Sequence, residues 1–416
     1  MKFLADLHIH SPYSIATSKE TLPAVLHRWA RLKGLTVVGT GDFTHPAWIA
    51  RLEEELEPAE EGLFRLRGDL ADKEDAALPA SCRGAARFML SAEISNIYKR
   101  AGKTRKVHNL VYAPSFEQAK AVTQVVAKAG AKIASDGRPI SKMDSEDLVR
   151  RVAEVSPEGY VVPAHAWTPH FSLFGAFNRF SSLEECYGDQ TGRIFAIETG
   201  LSSDPPMNRL VSGLDRLAMV SNSDAHSPRK LGREANAFDA PLSFAGIRDA
   251  IRGGAGSAFL GTVEFFPEEG KYHLDGHRAC GVRMTPEETE AAGGLCPACG
   301  RKVTVGVMNR VHELADRTRP PRTKGGPTFE RLMGLDSVLA ELLGVGVGTK
   351  RVGQAYMRLV AAFGGELPLL REAPPEEIEK ESPPGIGEAV RRMRRGEVHL
   401  EPGYDGQFGT VRVFAP

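Results

Sequence analysis

The sequence predicts an α/β fold whose mostly parallel strands form a barrel or a sheet covered by helices. From residue 1 to about 262, short β-rich runs alternate with helical stretches, which is typical of strand-helix-strand units. Histidine and carboxylate side chains follow many of these strands, at the end where such folds carry function. These two observations favour a barrel, and an open sheet is the alternative.

The elements of this region are predicted from alternating and helical periodicity. The expected strands are Phe3–Ile9, Leu35–Gly39, Arg87–Ala92, Val107–Tyr112, Lys132–Ala134, Tyr160–Pro163, Arg193–Ile197, Arg216–Val220 and Ala258–Thr262. The expected helices are Thr21–Lys33, Pro46–Glu57, Ser115–Lys128, Asp144–Glu154 and Ser243–Arg252. A composition shift near Val263 indicates a small Gly-, Cys- and His-rich module over 263–312, and a helical domain is expected over 313–416.

Composition and charge narrow the class of protein. Hydrophobic residues make up 42% of the chain and charged residues 25%, with a formal net charge of zero, as in an ordinary globular protein. No apolar run approaches the roughly 18 residues of a membrane span. The chain enters a strand pattern at once, without a basic-then-apolar leader, so a cytoplasmic location and no membrane partner are expected.

Two short motifs place metal-binding side chains two residues apart. His8 and His10 end the first strand pattern, and Asp224 and His226 follow the run that ends at Val220. Because side chains two apart on a strand point to one side, each pair can serve one metal centre. Histidine together with carboxylate suits Zn²⁺, Mn²⁺ or Fe. Three further residues follow or begin other strands and are expected at the same centre: Glu93, His108 and His165.

A second metal site is predicted in the Gly- and Cys-rich module. His277 and Cys280 are separated by two residues, as are Cys296 and Cys299, with fifteen residues between the two pairs. Three thiolates and one imidazole make a closed tetrahedral Zn²⁺ site, which is structural. His273 is the alternative fourth ligand.

Three features of the sequence indicate that the protein binds nucleic acid. Arg301–Arg371 contains 12 Lys and Arg against 6 Asp and Glu, although a solvated surface explains this equally well. Gly344–Lys350 lies between two apolar-periodic helices, and its glycines and Lys350 resemble the hairpin of helix-hairpin-helix modules, which hold the DNA backbone. An ordinary glycine-rich connection is the alternative. Pro384–Gly387 is a second, weaker match to the same hairpin. The candidate DNA contacts are Ser14, Lys19, Lys103, Arg105, Gly346, Gly348 and Lys350.

The metal motifs resemble those of the PHP (polymerase and histidinol phosphatase) superfamily. The matching runs are Ala5–Ser11, Gly41–His45, Ser91–Glu93, His165 and Ser223–His226. The resemblance implies a distorted seven-stranded β/α barrel that hydrolyses phosphate esters with two or three divalent ions such as Zn²⁺, Mn²⁺ or Mg²⁺. The implied ligands are His8, His10, Glu93, His108, His165, Asp224 and His226. The second motif departs from the usual Asp-His pair, and we expect Asp42 to take the ligand role there with His45 in support.

The chain as a whole is similar to the endonuclease Q family, in which a PHP barrel precedes a zinc module and a helical domain. The matching runs include Gly39–Pro46, Glu198–Pro205 and Pro402–Gly406. The resemblance implies a DNA repair endonuclease that cuts 5′ to a deaminated base (uracil, hypoxanthine or xanthine) or an abasic site. The expected catalytic residues are Asp224, His226, Glu93 and Glu198. A small-molecule phosphomonoesterase of the histidinol phosphatase kind is the alternative, although such a substrate needs neither the zinc module nor the hairpin.

Overall fold

A computed structural model describes residues 1–253, 258–321 and 326–414. Within these ranges no helix is both long and apolar enough to cross a membrane. The strands are β1 Lys2–Asp6, β2 Val37–Gly39, β3 Leu56–Pro58, β4 Phe64–Leu66, β5 Arg87–Arg100, β6 Lys103–Ala113, β7 Ile140–Ser141, β8 Tyr160–Pro163, β9 Ala196–Glu198, β10 Ala218–Val220, β11 Ala235–Asp239, β12 Phe259–Glu264, β13 Asp275–His277, β14 Val282–Met284, β15 Thr328–Arg331, β16 His399–Glu401 and β17 Thr410–Arg412.

Helices alternate with these strands in the first part of the chain and dominate the last part. They are α1 Pro23–Lys33, α2 Pro46–Glu55, α3 Gly68–Ala76, α4 Phe116–Lys128, α5 Ser145–Val155, α6 Leu183–Tyr187, α7 Pro205–Asn208, α8 Phe244–Arg252, α9 Pro286–Ala291, α10 Val307–Leu314, α11 Leu335–Leu343, α12 Lys350–Phe363, α13 Glu366–Arg371, α14 Pro375–Glu381 and α15 Ile386–Arg394. All five helices predicted before residue 262 are present, and the helical character of the last hundred residues is confirmed.

The strands follow one another around a ring. Eleven of the described strands form one sheet, in which β12, β11, β1, β2 and β5 are successive neighbours and β6 and β8 continue from β5. The parallel pair β9–β10 completes the ring, with β9 beside β8 and β10 beside β12. Neither of these two seams is a hydrogen-bonded ladder, so the described strands do not close the barrel by hydrogen bonds. The α/β class is confirmed.

The sheet is mixed rather than mostly parallel: β11 pairs antiparallel with β1 and β12, and β5 and β6 form one long antiparallel hairpin. Strand β5 runs on through Glu93 to Arg100, where Ala101 and Gly102 form the turn into β6, both with positive φ (51° and 73°). A two-residue turn of this kind joins antiparallel strands only. Lys103 and Arg105, two of the candidate DNA contacts, therefore lie on β6, and Glu93 lies inside β5 rather than after it.

Two further differences concern short segments. The prediction of a strand at Lys132–Ala134 is wrong, because the chain forms a turn there. Just after this turn, the backbone N–H of Gly137 donates to Tyr13 O at 3.1 Å. Strand β11 (Ala-Asn-Ala-Phe-Asp) was not predicted, because it has none of the β-branched residues that mark a strand. Its antiparallel pairing with β1 is a tertiary effect.

The helical region is attached to the first part of the chain through a buried ion pair. Lys33 at the end of α1 donates to the carboxylate of Glu366 on α13, and both side chains are about 95% buried. Glu366 also accepts from the Tyr356 hydroxyl at 2.7 Å and from the Leu335 backbone N–H at 3.0 Å. A buried carboxylate with this many donors is satisfied, so it fixes how α11 to α13 pack against α1.

Candidate metal centre

His8 and His10 lie just beyond β1, and each imidazole is held through its Nδ1 atom. His8 Nδ1 lies 3.0 Å from Glu198 Oε1, and His10 Nδ1 lies 3.1 Å from Asp42 Oδ1. Both Nε2 atoms are buried and make no hydrogen bond of acceptable geometry among the described residues, although Asp224 Oδ1 lies 3.0 Å from that of His10. A histidine that ligates a metal usually donates one ring N–H to a carboxylate and binds the metal through the other nitrogen. The two unpartnered nitrogens therefore fit a metal cation.

The Glu93 carboxylate lies between two pairs of histidines. Its Oε1 atom lies 2.8 Å from His108 Nδ1 and 2.9 Å from His165 Nε2. His8 Nε2 lies 3.8 Å from the same oxygen, and His10 Nε2 lies 3.5 Å from Oε2. Burial disfavours a charged carboxylate, but His108, His165 and His8 outweigh it and hold the pKa of Glu93 well below its usual range. An ionised carboxylate in this position can bridge two cations.

Asp224 and His226 approach His10 from the end of β10. Asp224 Oδ1 lies 3.0 Å from His10 Nε2 and 3.7 Å from His8 Nε2. The ring of His226 lies 4.5 Å from that of His10, centroid to centroid. Burial opposes ionisation of Asp224, yet the two neighbouring histidines lower the pKa of its carboxyl. The second predicted pair therefore faces the first across one small space.

These residues form three groups in which the ligand atoms lie within 4.8 Å of one another. The groups are His8, His10 and Glu93; Glu93, His108 and His165; and His10, Asp224 and His226. Glu93 belongs to two groups and so does His10, which makes one contiguous centre. The structure thus brings together seven of the eight residues predicted as ligands.

Three residues of the centre adopt a backbone conformation that side-chain-bearing residues avoid. The φ angles of Asp42, His165 and Asp224 are 50°, 31° and 47°. Such strain is kept where the surrounding structure enforces it, most often at functional sites. Gly41 beside them also has positive φ, and a Cβ there would lie 2.3 Å from Ile9 O. The loop after β2 can therefore press directly on the segment that carries His8 and His10.

Asp42, the eighth predicted ligand, lies behind His10 rather than among the ligand groups. Its Oδ1 faces His10 Nδ1, and its Oδ2 accepts from the Ser11 backbone N–H at 2.7 Å and from the Ser14 hydroxyl at 2.8 Å. Both oxygens are committed to protein donors, so the ligand role expected for Asp42 does not fit. Ser14 was expected to contact phosphate, but it is buried and donates to Asp42 instead. The imidazole of His45 contacts Ala134 O at 3.3 Å and not the Asp42 carboxylate, whereas the His45 backbone N–H donates to Asp42 O at 2.9 Å.

Glu198 also lies outside the ligand space. Besides His8, its carboxylate accepts from the His165 backbone N–H at 2.8 Å and from Asn222 Nδ2 at 2.9 Å. The side chain is fully buried. Its contacts orient two candidate ligands, and the direct catalytic role expected for Glu198 has no geometric support.

Arg138 reaches the centre although nothing in the sequence marked it. Its Nη1 lies 3.4 Å from Glu93 Oε2, and its side chain is 24% exposed. Burial would lower the pKa of this guanidinium, but Glu93, Asp224 and Asp136 outweigh it and raise the pKa. A lone arginine in the turn before β7 has no recognisable spacing to the metal motifs, so only the fold reveals it.

The residues expected to contact DNA near the centre divide into exposed and buried groups. Lys103 is exposed beside the β5–β6 turn, and Lys19 is exposed with its Nζ atom 2.6 Å from Pro12 O. Arg105 is 3% exposed and donates to Asn178 O and to Glu185 Oε1. A guanidinium committed to these partners is not available to phosphate, so the expected role for Arg105 does not fit.

The four residues predicted to hold structural zinc form one group. The ligand atoms of His277, Cys280, Cys296 and Cys299 lie within 4.8 Å of one another, with Cys299 Sγ 3.4 Å from His277 Nδ1. The hairpin β13–β14 carries the first pair, and a tight turn carries the second. His273 is buried elsewhere and is not a member of this group. Three thiols and an imidazole at this spacing fit Zn²⁺.

The two glycine-rich helix connections differ in how their backbone is used. Between α11 and α12, the N–H groups of Gly346, Val347 and Gly348 have no acceptor among the described residues, and this turn is exposed. Between α14 and α15, the N–H groups of Gly385 and Gly387 donate to the Glu379 carboxylate at 2.6 and 2.8 Å. A carboxylate of the chain itself thus occupies the second turn, whereas the first is open to an external anion.

Two family models match parts of the chain. A model described as PHP-associated matches residues 215–255, and one described as the MJ0043 C-terminal domain matches residues 334–397. The chain is 30% identical over 256 residues to the uncharacterized protein MJ0043 of Methanocaldococcus jannaschii, but it spans only 31% of that protein. It is 30% identical over 424 residues to the uncharacterized protein YqxK of Bacillus subtilis, and the alignment covers 99% of both chains.

Solved structures extend the likeness to the whole fold. The lesion-specific endonuclease PfuEndoQ of Pyrococcus furiosus superposes with a TM-score of 0.86 and 32% identity, over 99% of this chain and 95% of that one. Endonuclease Q in complex with a 27-mer duplex, whose abasic lesion lies at the active site, gives a TM-score of 0.84 with 32% identity, over 99% of this chain and 96% of that one. A PHP-associated segment, a metal-ligand centre and this full-length similarity agree, and the chain belongs to the endonuclease Q family.

Proposed function

We propose that this chain is a metal-dependent endonuclease that cuts DNA at a damaged base. The observation that carries the proposal is the contiguous ligand centre built around Glu93 and His10, in a chain that superposes on endonuclease Q along nearly its full length. A related enzyme with an abasic duplex at its active site supports DNA as the substrate. The phosphomonoesterase alternative is less favoured, because the similarity that extends over nearly the whole chain is to endonuclease Q.

Seven residues are proposed to hold two or three divalent cations: His8, His10, Glu93, His108, His165, Asp224 and His226. Divalent cations bound there polarise phosphoryl oxygens and supply an activated water near neutral pH. The buried, unpartnered Nε2 atoms of His8 and His10 support this assignment. Zn²⁺ and Mn²⁺ are candidates because histidine together with carboxylate suits them, and Mg²⁺, which prefers oxygen ligands, is the third candidate.

Two carboxylates are proposed to position ligands rather than to react. Glu198 orients His8, and Asp42 orients His10, each through Nδ1. Holding the ring in this way keeps Nε2 directed at the cation and raises its basicity. The catalytic assignment of Glu198 is replaced by this positioning role.

Arg138 is proposed to contact the scissile phosphate. Its guanidinium lies beside Glu93 at the rim of the centre, and it is partly exposed. A fixed cation next to the reacting phosphate stabilises the charge that develops on the non-bridging oxygens. Lys19 and Lys103, both exposed, are proposed to hold neighbouring phosphates.

Further from the centre, two features are proposed to serve binding and folding. The open turn Gly346–Gly348, with Lys350 beside it, would take a backbone phosphate on its free N–H groups. The group of His277, Cys280, Cys296 and Cys299 would hold a structural Zn²⁺, whose binding energy contributes to folding. We also propose the divisions 1–262, 263–312 and 313–416 for barrel, zinc module and helical domain.

The substrate range is proposed to include uracil, hypoxanthine and xanthine as well as abasic sites. Deaminated bases pair weakly, so extruding one from the helix costs less than extruding a normal base. The experiment is incubation with duplexes that carry one such lesion, with Mg²⁺, Mn²⁺ or Zn²⁺ added. A single nick on the 5′ side of the lesion supports the proposal, and an undamaged duplex is the control. No nick on any lesion with any of the three metals would refute it.

A further inference from the structure

An exposed pair of stacked rings projects from the loop beside the metal centre. His170 and Phe177 stack with centroids 3.9 Å apart and planes 16° apart, and Phe177 is 66% exposed. The loop begins at the candidate ligands: the His108 backbone N–H donates to Phe171 O at 3.0 Å, and the ring of Phe171 lies 4.8 Å from that of His108. The stacked pair is therefore adjacent to the centre.

Two buried arginines hold this loop in place. Arg310 on α10 is 1% exposed and donates to Phe174 O at 3.0 Å and to Phe180 O at 3.2 Å. Arg105 donates to Asn178 O, and its guanidinium lies 4.1 Å from the centroid of Phe180. A buried guanidinium requires such partners. The loop is thus held by hydrogen bonds to buried side chains on both sides of Phe177, and Phe177 is exposed within this fixed segment.

A second exposed ring stands on an equally constrained turn. Phe408 is 72% exposed and follows a tight turn in which Asp405 has a φ of 43°. The Asp405 carboxylate accepts from the Arg278 backbone N–H and from the Thr304 hydroxyl, both at 2.6 Å. The turn is thereby fixed to the zinc module. The exposed phenyl ring of Phe408 is therefore available to a ligand at this turn.

Two lysines lie beside these rings. Lys271 Nζ lies 5.7 Å from the ring centroid of Phe408, and Lys106 Nζ lies 5.3 Å from that of Phe171. Burial lowers the pKa of His170, and the positive charges of Lys106 and Lys271 near that imidazole lower it further. Neither lysine pairs with a carboxylate among the described residues. The surface therefore offers flat apolar faces together with unneutralised positive charge.

We propose that Phe177, His170 and Phe408, with Lys106 and Lys271 beside them, form a stacking surface for unpaired nucleotides of the DNA strand. This inference rests on the proposed function, because it assigns the DNA a second contact beside the same centre. Nucleobases supply the planar faces and their phosphates supply the negative charge, which is the combination that single-strand-binding surfaces recognise. A fully paired duplex presents no free base faces and would gain nothing from the rings.

The test compares two duplexes of undamaged bases, one fully paired and one with a short unpaired bubble containing 2-aminopurine. Wild-type protein is expected to bind the bubble about tenfold more tightly and to quench the 2-aminopurine fluorescence, since each stacked base contributes measurably to affinity. Phe177→Ala and Phe408→Ala should each reduce this preference, and the double variant should abolish it, with unchanged affinity for the paired duplex. Phe329→Ala, which removes an exposed ring from the edge strand β15, is the matched control and should retain the preference.

Each outcome separates this inference from the proposed function. Equal affinity of the wild-type protein for the two duplexes, or a bubble preference that survives in the double variant, would overturn the stacking surface. A change of oligomeric state in the double variant would assign the rings to a second copy of the chain and would also overturn it. Lesion nicking is measured separately. Normal nicking without any preference for the bubble would contradict only the stacking surface and would leave the proposed function unaffected.

Discussion

Glu198 and His8 are joined by a contact between the carboxylate and Nδ1 at 3.0 Å, and both side chains are 99% or more buried. The carboxylate belongs to β9 and the imidazole follows β1, so the contact connects distant parts of the chain. It turns His8 Nε2 toward Glu93 and Asp224. The centre thus depends on residues that cannot themselves reach a cation.

Glu198→Gln should weaken metal binding without unfolding the protein. The amide keeps the shape but loses the charge that holds the His8 ring, and such outer carboxylates typically contribute about 10- to 100-fold to metal affinity. Isothermal titration with Mn²⁺ measures the effect. Glu379→Gln, which alters a carboxylate at the second helix connection, is the control and should bind Mn²⁺ normally. Unchanged affinity in Glu198→Gln would contradict the positioning role.

Arg138→Met should lower kcat for lesion nicking by about 100- to 1,000-fold, as expected for loss of one group that stabilises transition-state charge. The Kd for lesion DNA should change much less, because other cations hold the backbone. Single-turnover nicking and fluorescence anisotropy separate the two quantities. Arg65→Met removes an exposed arginine from β4 and should behave as wild type. A loss confined to Kd would assign Arg138 to substrate binding instead.

Lys350→Ala should weaken binding to any duplex and should not change the lesion preference. A lysine that contacts only phosphate contributes through counterion release, so the slope of log Kd against log salt should fall by about one. Lys380→Ala removes an exposed lysine near the second connection, where Glu379 already occupies the backbone N–H groups, and its slope should stay unchanged. A shifted ranking of uracil against abasic substrates in Lys350→Ala would refute the backbone role.

Cys299→Ser should cost the protein one zinc per chain and lower its Tm. The remaining ligands cannot complete a tetrahedral site, and the binding energy of structural zinc is folding energy. Metal analysis together with thermal unfolding measures both effects. His273→Gln provides the comparison, because His273 lies outside the cysteine group and its replacement should leave the zinc in place. Zinc retained in Cys299→Ser but lost in His273→Gln would reverse the assignment.

Much of the centre could be predicted because its ligands come as motifs. His8, His10, Asp224 and His226 follow apolar runs with a spacing of two, and periodicity alone places them at strand ends. The cysteine pairs carry an equally specific spacing. The five helices predicted before residue 262 could be found because amphipathic periodicity over nine or more residues is a strong local signal, whereas α3, α6 and α7 were not predicted.

The rest depends on contacts between distant segments. Asp42 is a residue type that commonly binds metals, but its Oδ2 atom accepts hydrogen bonds from the Ser11 N–H and the Ser14 hydroxyl. No local sequence pattern indicates these contacts. Arg105 reads as part of a basic stretch, yet strand alternation turns it inward while Lys106 faces out. Arg138 is placed by its contact with Glu93, and β11 is placed by its pairing with β1, and both partners are distant in the sequence.

The most direct test is nicking of a duplex with one abasic site by wild-type protein and by Asp224→Ala. We expect a single metal-dependent nick 5′ to the lesion, lost in the variant, while both proteins bind the duplex with similar Kd. The loss follows because Asp224 Oδ1 lies 3.0 Å from His10 Nε2, within one of the three ligand groups. Full nicking by Asp224→Ala would show that this centre does not carry the activity.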